Sequence, residues 1–152
     1  MTRLFLLLLT LLFSLSGQVM AEHSNFWQSS LAAKGPLTSS VADLRAAGLK
    51  DAHHVIQDAA VRDLPGYSSR AAPGIQLAGP STAQGSPHYI ATQVQRQAGG
   101  GTYAAERRIG YKAIRQSGVS QPDARQIISE TDNWFQGIGV TPSTPTRIPG
   151  NR

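Results

Sequence analysis

Hydrophobic positions along this chain fall into distinct regimes. From Leu4 to Leu15 they run almost unbroken, and from about residue 40 they recur at spacings that specify short amphipathic elements separated by Gly, Pro and Ser. Ser40 stands three residues before Asp43, with Val41, Leu44 and Ala47 following and Gly48 closing, a pattern that predicts a capped helix over about Val41 to Ala47. Ala52-His53-His54-Val55-Ile56 and Ile75-Gln76-Leu77 are short runs bounded by turn residues, and they predict two strands. Leu64-Pro65-Gly66-Tyr67 and Ser68-Ser69 lie between them, so the strands are expected to form a hairpin with a long, irregular, exposed connection.

Three more helices follow from the same pattern. Ser86-Pro87 opens one, with Ile90, Val94 and Ala98 at intervals of four before Gly99-Gly100-Gly101. Ala105, Ile109 and Ala113 place the next over about Thr102 to Gln116. Ser120 with Asp123 caps the last, whose apolar side carries Ala124, Ile127, Ile128, Thr131, Trp134 and Phe135 and which ends at Gly137, with the Trp-Phe pair in the core. The stretch from Val140 to Arg152 has three prolines and no period, and predicts an extended tail over the surface. Glu22 to Pro36 shows little regular pattern, with Phe26 and Trp27 expected to pack on the domain.

The apolar opening reads as a leader. Arg3 precedes it and Val19-Met20-Ala21 offers a small-residue cleavage site, so residues 1–21 are expected to be a secretory signal peptide and the mature protein to be secreted or periplasmic. The run covers roughly a dozen residues where a bilayer span needs about 20, so no stable membrane insertion is expected once the leader is gone. What remains is about 131 residues, the size of one domain. It divides into a domain over residues 22–139 and an extended basic tail over 140–152. There is no cysteine, which excludes disulfides, zinc fingers and thiol chemistry and leaves His, Asp, Glu, Asn, Gln or water to hold any metal. Fourteen Lys and Arg against nine Asp and Glu give a net charge of +5, which favours an anionic partner: nucleic acid, an envelope polymer or a membrane surface.

Four histidines carry the candidate chemistry. His23 belongs to no motif and reads as an ordinary residue. His53 and His54 are adjacent on a predicted strand, and His88 falls in the first turn of a predicted helix. Neutral imidazole binds divalent transition metals and accepts protons near neutral pH, so adjacent histidines can divide these tasks. Side chains alternate along a strand, so the division requires the pair to sit at a strand end where both rings reach one cleft. A helix N-terminus carries partial positive charge, and His88 there is well placed for an approaching phosphate.

These residues resemble the HNH and endonuclease VII superfamily of nucleases, and in particular its AHH-type branch among bacterial toxins. The resemblance rests on Ala52-His53-His54-Val55-Ile56, then Gly74-Ile75-Gln76-Leu77, then Gly85-Ser86-Pro87-His88-Tyr89-Ile90 leading to Val94, and it spans about residues 50–97. It implies an α+β fold, a small mainly helical domain around a ββα-metal core of hairpin and helix, and it implies phosphodiester hydrolysis. By the same resemblance His53 is the first ligand of one divalent ion (Mg, Mn, Zn or Ni), His88 is a second ligand, and His54 is the general base that deprotonates water. The family often has Asn just before the Gly of the second strand. Here that position is Pro73, whose side chain can neither orient a base nor bind a cation; Gln76, Gln84, Asp58 and a water are the candidate substitutes.

Arg107, Arg108, Lys112 and Arg115, with Arg96 on the preceding helix, would supply phosphate contacts independent of sequence, or else form a solvated helix face. Gly99-Gly100-Gly101 lacks the strand and Lys of a phosphate-cradling loop and reads as a helix connector. The leading expectation is an exported, metal-dependent endonuclease of low sequence specificity acting on DNA or RNA, as an antibacterial effector or an extracellular scavenger. An immunity protein would be a further partner in the effector setting. The alternative is a non-catalytic exported protein that binds nucleic acid or another anionic polymer. A peptidase is disfavoured, since the chain has no HExxH helix.

Overall fold

The computed structural model describes residues 36–97 and 99–149. The leader, Phe26, Trp27 and the last three residues of the tail lie outside them. Chain order is β1 (Ser39–Ser40), α1 (Val41–Ala46), β2 (Ala52–His54), α2 (Asp58–Val61), β3 (Pro73–Gln76), α3 (Pro87–Gln97), α4 (Tyr103–Gln116) and α5 (Gln121–Gly137). The α+β class and the hairpin-then-helix core agree with the sequence reading.

Local chemistry sets most of these boundaries. The Ser40 hydroxyl accepts from the Asp43 backbone at 3.0 Å, Thr102 does the same for Ala105 at 3.3 Å, and Ser120 for Asp123 at 3.3 Å, each satisfying an amide that the first helical turn leaves unpaired. The Ser86 hydroxyl accepts from the Tyr89 amide at 3.1 Å, one residue ahead of the Pro that begins α3.

The three strands form one antiparallel sheet in the order β1-β3-β2, with His53 opposite Ile75 and His54 opposite Gly74. Strand β1 was not expected from sequence: two serines carry no strand signal, and they pair only because α1 brings them beside Pro73 and Gly74. Gly74 permits this arrangement, since a Cβ there would lie 2.7 Å from Val41 Cγ2 and 3.2 Å from the His53 carbonyl oxygen. The hairpin connection also differs from expectation. It contains the single-turn helix α2, whose Ala60 and Val61 are buried under the aromatic cluster.

Two hydrophobic clusters hold the domain. One joins Val55, Ile75 and Leu77 of the hairpin to Ala91 of α3, Ala113 and Ile114 of α4, and Ala124, Ile127 and Ile128 of α5. The other gathers Ile56, Ala60 and Val61 around Tyr103, Phe135 and Val140. In it the Tyr103 and Phe135 rings lie 4.8 Å apart, and the Trp134 and Phe135 rings lie 5.0 Å apart at 83°. Edge contacts of this kind add to the area these rings bury.

The tail is tied to the domain through its backbone. Tyr103 and Ala104 amides, the first of α4, donate to the Thr144 and Pro142 carbonyls at 2.9 Å, and the Arg147 amide donates to the Ala60 carbonyl at 2.9 Å. Residues 140–149 make a turn over Thr141–Thr144, and they satisfy amides that the start of α4 leaves unpaired.

Candidate active site

The site is built on the end of β2, where two successive histidines meet different surroundings. His53 points inward and is 5% exposed; His54, the last residue of the strand, is half-buried. The inward face meets the first turn of α3. There the His53 and His88 ring centroids lie 5.1 Å apart, with planes at 83°. His53 Nε2 and His88 Nδ1 are both buried and have no hydrogen-bond partner. Buried imidazole nitrogens without partners on two neighbouring rings are costly in a protein interior unless a further group satisfies them.

Electrostatics keep both rings neutral. Burial, then the charges of His88 and His54, lower the His53 pKa from 6.5 to about 3. Burial also lowers the pKa of His88, against the opposing effects of the Asp51 charge and a hydrogen bond to the Gly79 backbone. Neutral imidazoles with free lone pairs are the form that ligates a metal ion, and two of them suit zinc, nickel and related divalent ions. The donor set therefore fits a cation. Among the described residues no group of three or more His, Cys, Asp or Glu converges, so hydroxyl, amide, water or substrate oxygens would complete the coordination.

His54 faces the hairpin connection. Its Nε2 lies 2.9 Å from the Ser69 carbonyl oxygen and 3.3 Å from the Ser69 hydroxyl. A carbonyl oxygen can only accept, so Nε2 carries the proton and the lone pair resides on Nδ1. Nearby, Asp58 is held ionised: burial would raise its pKa, but hydrogen bonds from Ser69 and Tyr67, with the charges of His54 and Arg62, bring it below the usual carboxylate value. The Tyr67 hydroxyl donates to Asp58 Oδ1 at 3.0 Å and Arg62 pairs with Oδ2 at 2.7 Å.

The backbone at the end of β2 is fixed from two sides. Gln95 of α3 is 5% exposed, and its Nε2 donates to the His54 carbonyl at 3.1 Å and the Val55 carbonyl at 3.2 Å. From the other side α4 presses Gly110 against the same Val55 carbonyl, which would lie 2.5 Å from a Cβ at that position. Neither residue was singled out from sequence. The buried line of α3 runs through Ala91 and Gln95, one position on from the anticipated Ile90 and Val94, which are half-buried. A glutamine four residues after an alanine on that line was the available signal.

Of the other candidates, Gln76 donates to the Leu77 carbonyl and Gln84 is exposed on the loop before α3. Arg107 pairs with Asp132 at 2.6 Å, and the Arg115 guanidinium donates to the Val119 carbonyl just past α4. Arg96, Arg108 and Lys112 are exposed and make no ion pair among the described residues. Arg96 lies eight residues, about 12 Å of helix, beyond His88. At the glycine run, a Cβ on Gly100 would fall on the Glu106 carboxyl, so the connector packs over a buried acid.

Residues 47–136 match the model of a family described as an HNH/Endo VII superfamily toxin with a SHH signature. In this chain the double histidine is preceded by Ala52. No curated protein and no solved structure is matched by the chain. With more than half of its length matched, and with the paired histidines and His88 packed on a hairpin and helix, this chain belongs to the HNH/Endo VII superfamily toxins of the SHH type.

Proposed function

We propose that this protein is an exported endonuclease toxin that hydrolyses phosphodiester bonds of DNA with little sequence preference, using one divalent cation. The observation that carries the reading is the pair of unpartnered, buried nitrogens, His53 Nε2 and His88 Nδ1, on rings 5.1 Å apart. These two side chains would hold the ion, which when bound would set positive charge against the scissile phosphate.

The remaining work falls to the chain itself. His54, with Nε2–H committed to Ser69, presents Nδ1 to take a proton from the attacking water. Gln95 and Gly110 hold the backbone that carries it. Exposed Arg96, Arg108 and Lys112 favour the polyanion without reading its bases. Export is proposed from the leader pattern of residues 1–21, and an immunity protein is the partner that a toxin acting on nucleic acid would require in its producer.

The test is cleavage of plasmid DNA and of a structured RNA by the purified mature protein, with chelator and with magnesium, manganese, zinc and nickel added back singly. Loss on chelation, recovery with at least one cation, and loss in His54→Ala and His53→Ala are the expected results. Cleavage that survives chelation and both substitutions would overturn it. Binding without cleavage under every metal would favour a non-catalytic nucleic-acid-binding protein.

A further inference from the structure

Besides the two histidine nitrogens, three buried side-chain oxygens have no hydrogen-bond partner among the described residues: Gln57 Oε1, Glu106 Oε1 and Thr146 Oγ1. Backbone contacts bring their residues to one corner of the domain, where the C-terminal segment crosses the start of α4. A Cβ on Gly100 would fall on Glu106 Oε1, and the next residue, Gly101, accepts from the Thr146 amide at 3.1 Å. The Arg147 amide donates to the Ala60 carbonyl at 2.9 Å, and the Ala60 amide donates to the Gln57 carbonyl at 2.9 Å. On the other side Gly110 stands one turn beyond Glu106 on α4, and a Cβ there would lie 3.3 Å from the Cδ1 of Ile56, the residue before Gln57.

The chemistry of this corner is one-sided. A carboxylate oxygen and an amide oxygen only accept, and the Thr146 hydroxyl donates to neither of them. Glu106 is 1% exposed and pairs with no Lys, Arg or His among the described residues. Burying a carboxylate and two neutral oxygens without a donor is costly, and one positive ion satisfies all three together. Oxygens alone select a hard cation, whereas the imidazoles of His53 and His88 suit zinc or nickel. Calcium takes roughly six to eight oxygens in a flexible geometry, neutral ones included, while magnesium gives up its water too reluctantly for an enclosed place.

We propose that Gln57, Glu106 and Thr146 are ligands of a calcium ion, at a site distinct from the imidazole pair, and that the ion fastens residues 140–149 to α4 and α2. Main-chain carbonyls or water complete its shell. With a single carboxylate the expected Kd is on the order of 0.1–1 mM, the range of extracellular calcium modules.

Two measurements test this, and neither uses cleavage of nucleic acid. In the first, chelator-treated protein is melted with calcium chloride, with magnesium chloride, and with sodium chloride at equal ionic strength. At about 10 mM calcium the melting temperature should rise by about 5 °C or more in the wild type and in His53→Ala, and not in Glu106→Gln or Thr146→Val, which keep the size of the side chain. Magnesium and sodium should have a smaller effect. In the second, trypsin cleavage after Arg147, read by mass as loss of residues 148–152, should slow about tenfold in calcium for the wild type and remain unchanged for the two variants. Equal calcium shifts in the wild type and both variants, an equal rise with magnesium or sodium, or trypsin cleavage of the wild type that ignores calcium would overturn the proposal. A calcium shift that disappears in His53→Ala would overturn it too, by assigning the ion to the imidazoles.

Discussion

Gly110→Ala tests whether the packing of α4 on the site strand is as tight as the geometry indicates. The new methyl would sit 2.5 Å from the Val55 carbonyl oxygen and 3.3 Å from Ile56 Cδ1. The first distance is shorter than real contacts allow, and the atom met is backbone, so relief requires α4 to move away from β2 by about half an ångström or more. Two effects oppose each other. Replacing Gly inside a helix contributes up to about 1 kcal/mol of stability, and overpacking a dense interior costs about 1–3 kcal/mol. The packing term is the larger, because the same carbonyl is held by Gln95 and cannot drift freely. Net destabilisation of about 1–2 kcal/mol is expected, read as a lower urea midpoint at unchanged slope. Displacing Val55 also moves the neighbouring His54, so cleavage should fall further than the loss of folded protein explains. Gly137→Ala is the control, at the end of α5 with no atom within 4 Å of a Cβ, and should be neutral or slightly stabilising. A Gly110→Ala protein as stable as wild type, with undiminished cleavage, would refute the reasoning.

Glu106 is 1% exposed, its Oε1 has no hydrogen-bond partner, and burial raises its pKa from 4.5 to about 7. The unfolded chain releases this proton near pH 4.5 and the native state only near pH 7, so stability declines as pH rises between the two and the full penalty, up to about 3 kcal/mol, applies above pH 7. Glu106→Gln should remove that decline and raise the melting temperature at pH 8 more than at pH 5; equal shifts at both would contradict the burial argument. Gln95→Leu leaves the part-buried His54 carbonyl and the buried Val55 carbonyl without their side-chain donor, and should cost about 1–3 kcal/mol by urea denaturation together with much of the cleavage activity. A divalent ion bound by His53 and His88 stabilises only the native state, by about 3 kcal/mol at a hundredfold excess over Kd. Thermal melts with nickel or zinc should therefore rise for the wild type and not for His53→Ala or His88→Ala, whereas equal rises in all three would exclude these ligands.

The arrangement explains why adjacent histidines can differ so much. His53 and His54 end one strand, yet the first ring packs against His88 of α3 while the second meets the hairpin connection at Ser69. Burial keeps the first neutral, and hydrogen bonding to Ser69 selects the nitrogen the second presents.

The sequence by itself determined the helices and the identity of the histidines. Ser40, Ser86-Pro87, Thr102 and Ser120 mark helix starts because a capping hydroxyl acts on an amide three residues away, and a signal of that range is written into consecutive residues. The double histidine and the helix-start histidine were legible for the same reason, as local motifs in the right order. Tertiary structure alone decided β1, the helix inside the hairpin connection, and the setting of the site. Gln95 reaches the His54 carbonyl across 41 residues of sequence, Ser69 reaches its ring across 15, and Glu106 is buried by the fold around it. Such contacts depend on where distant segments meet. Meeting is governed by the collective packing of the core, and no short pattern encodes it.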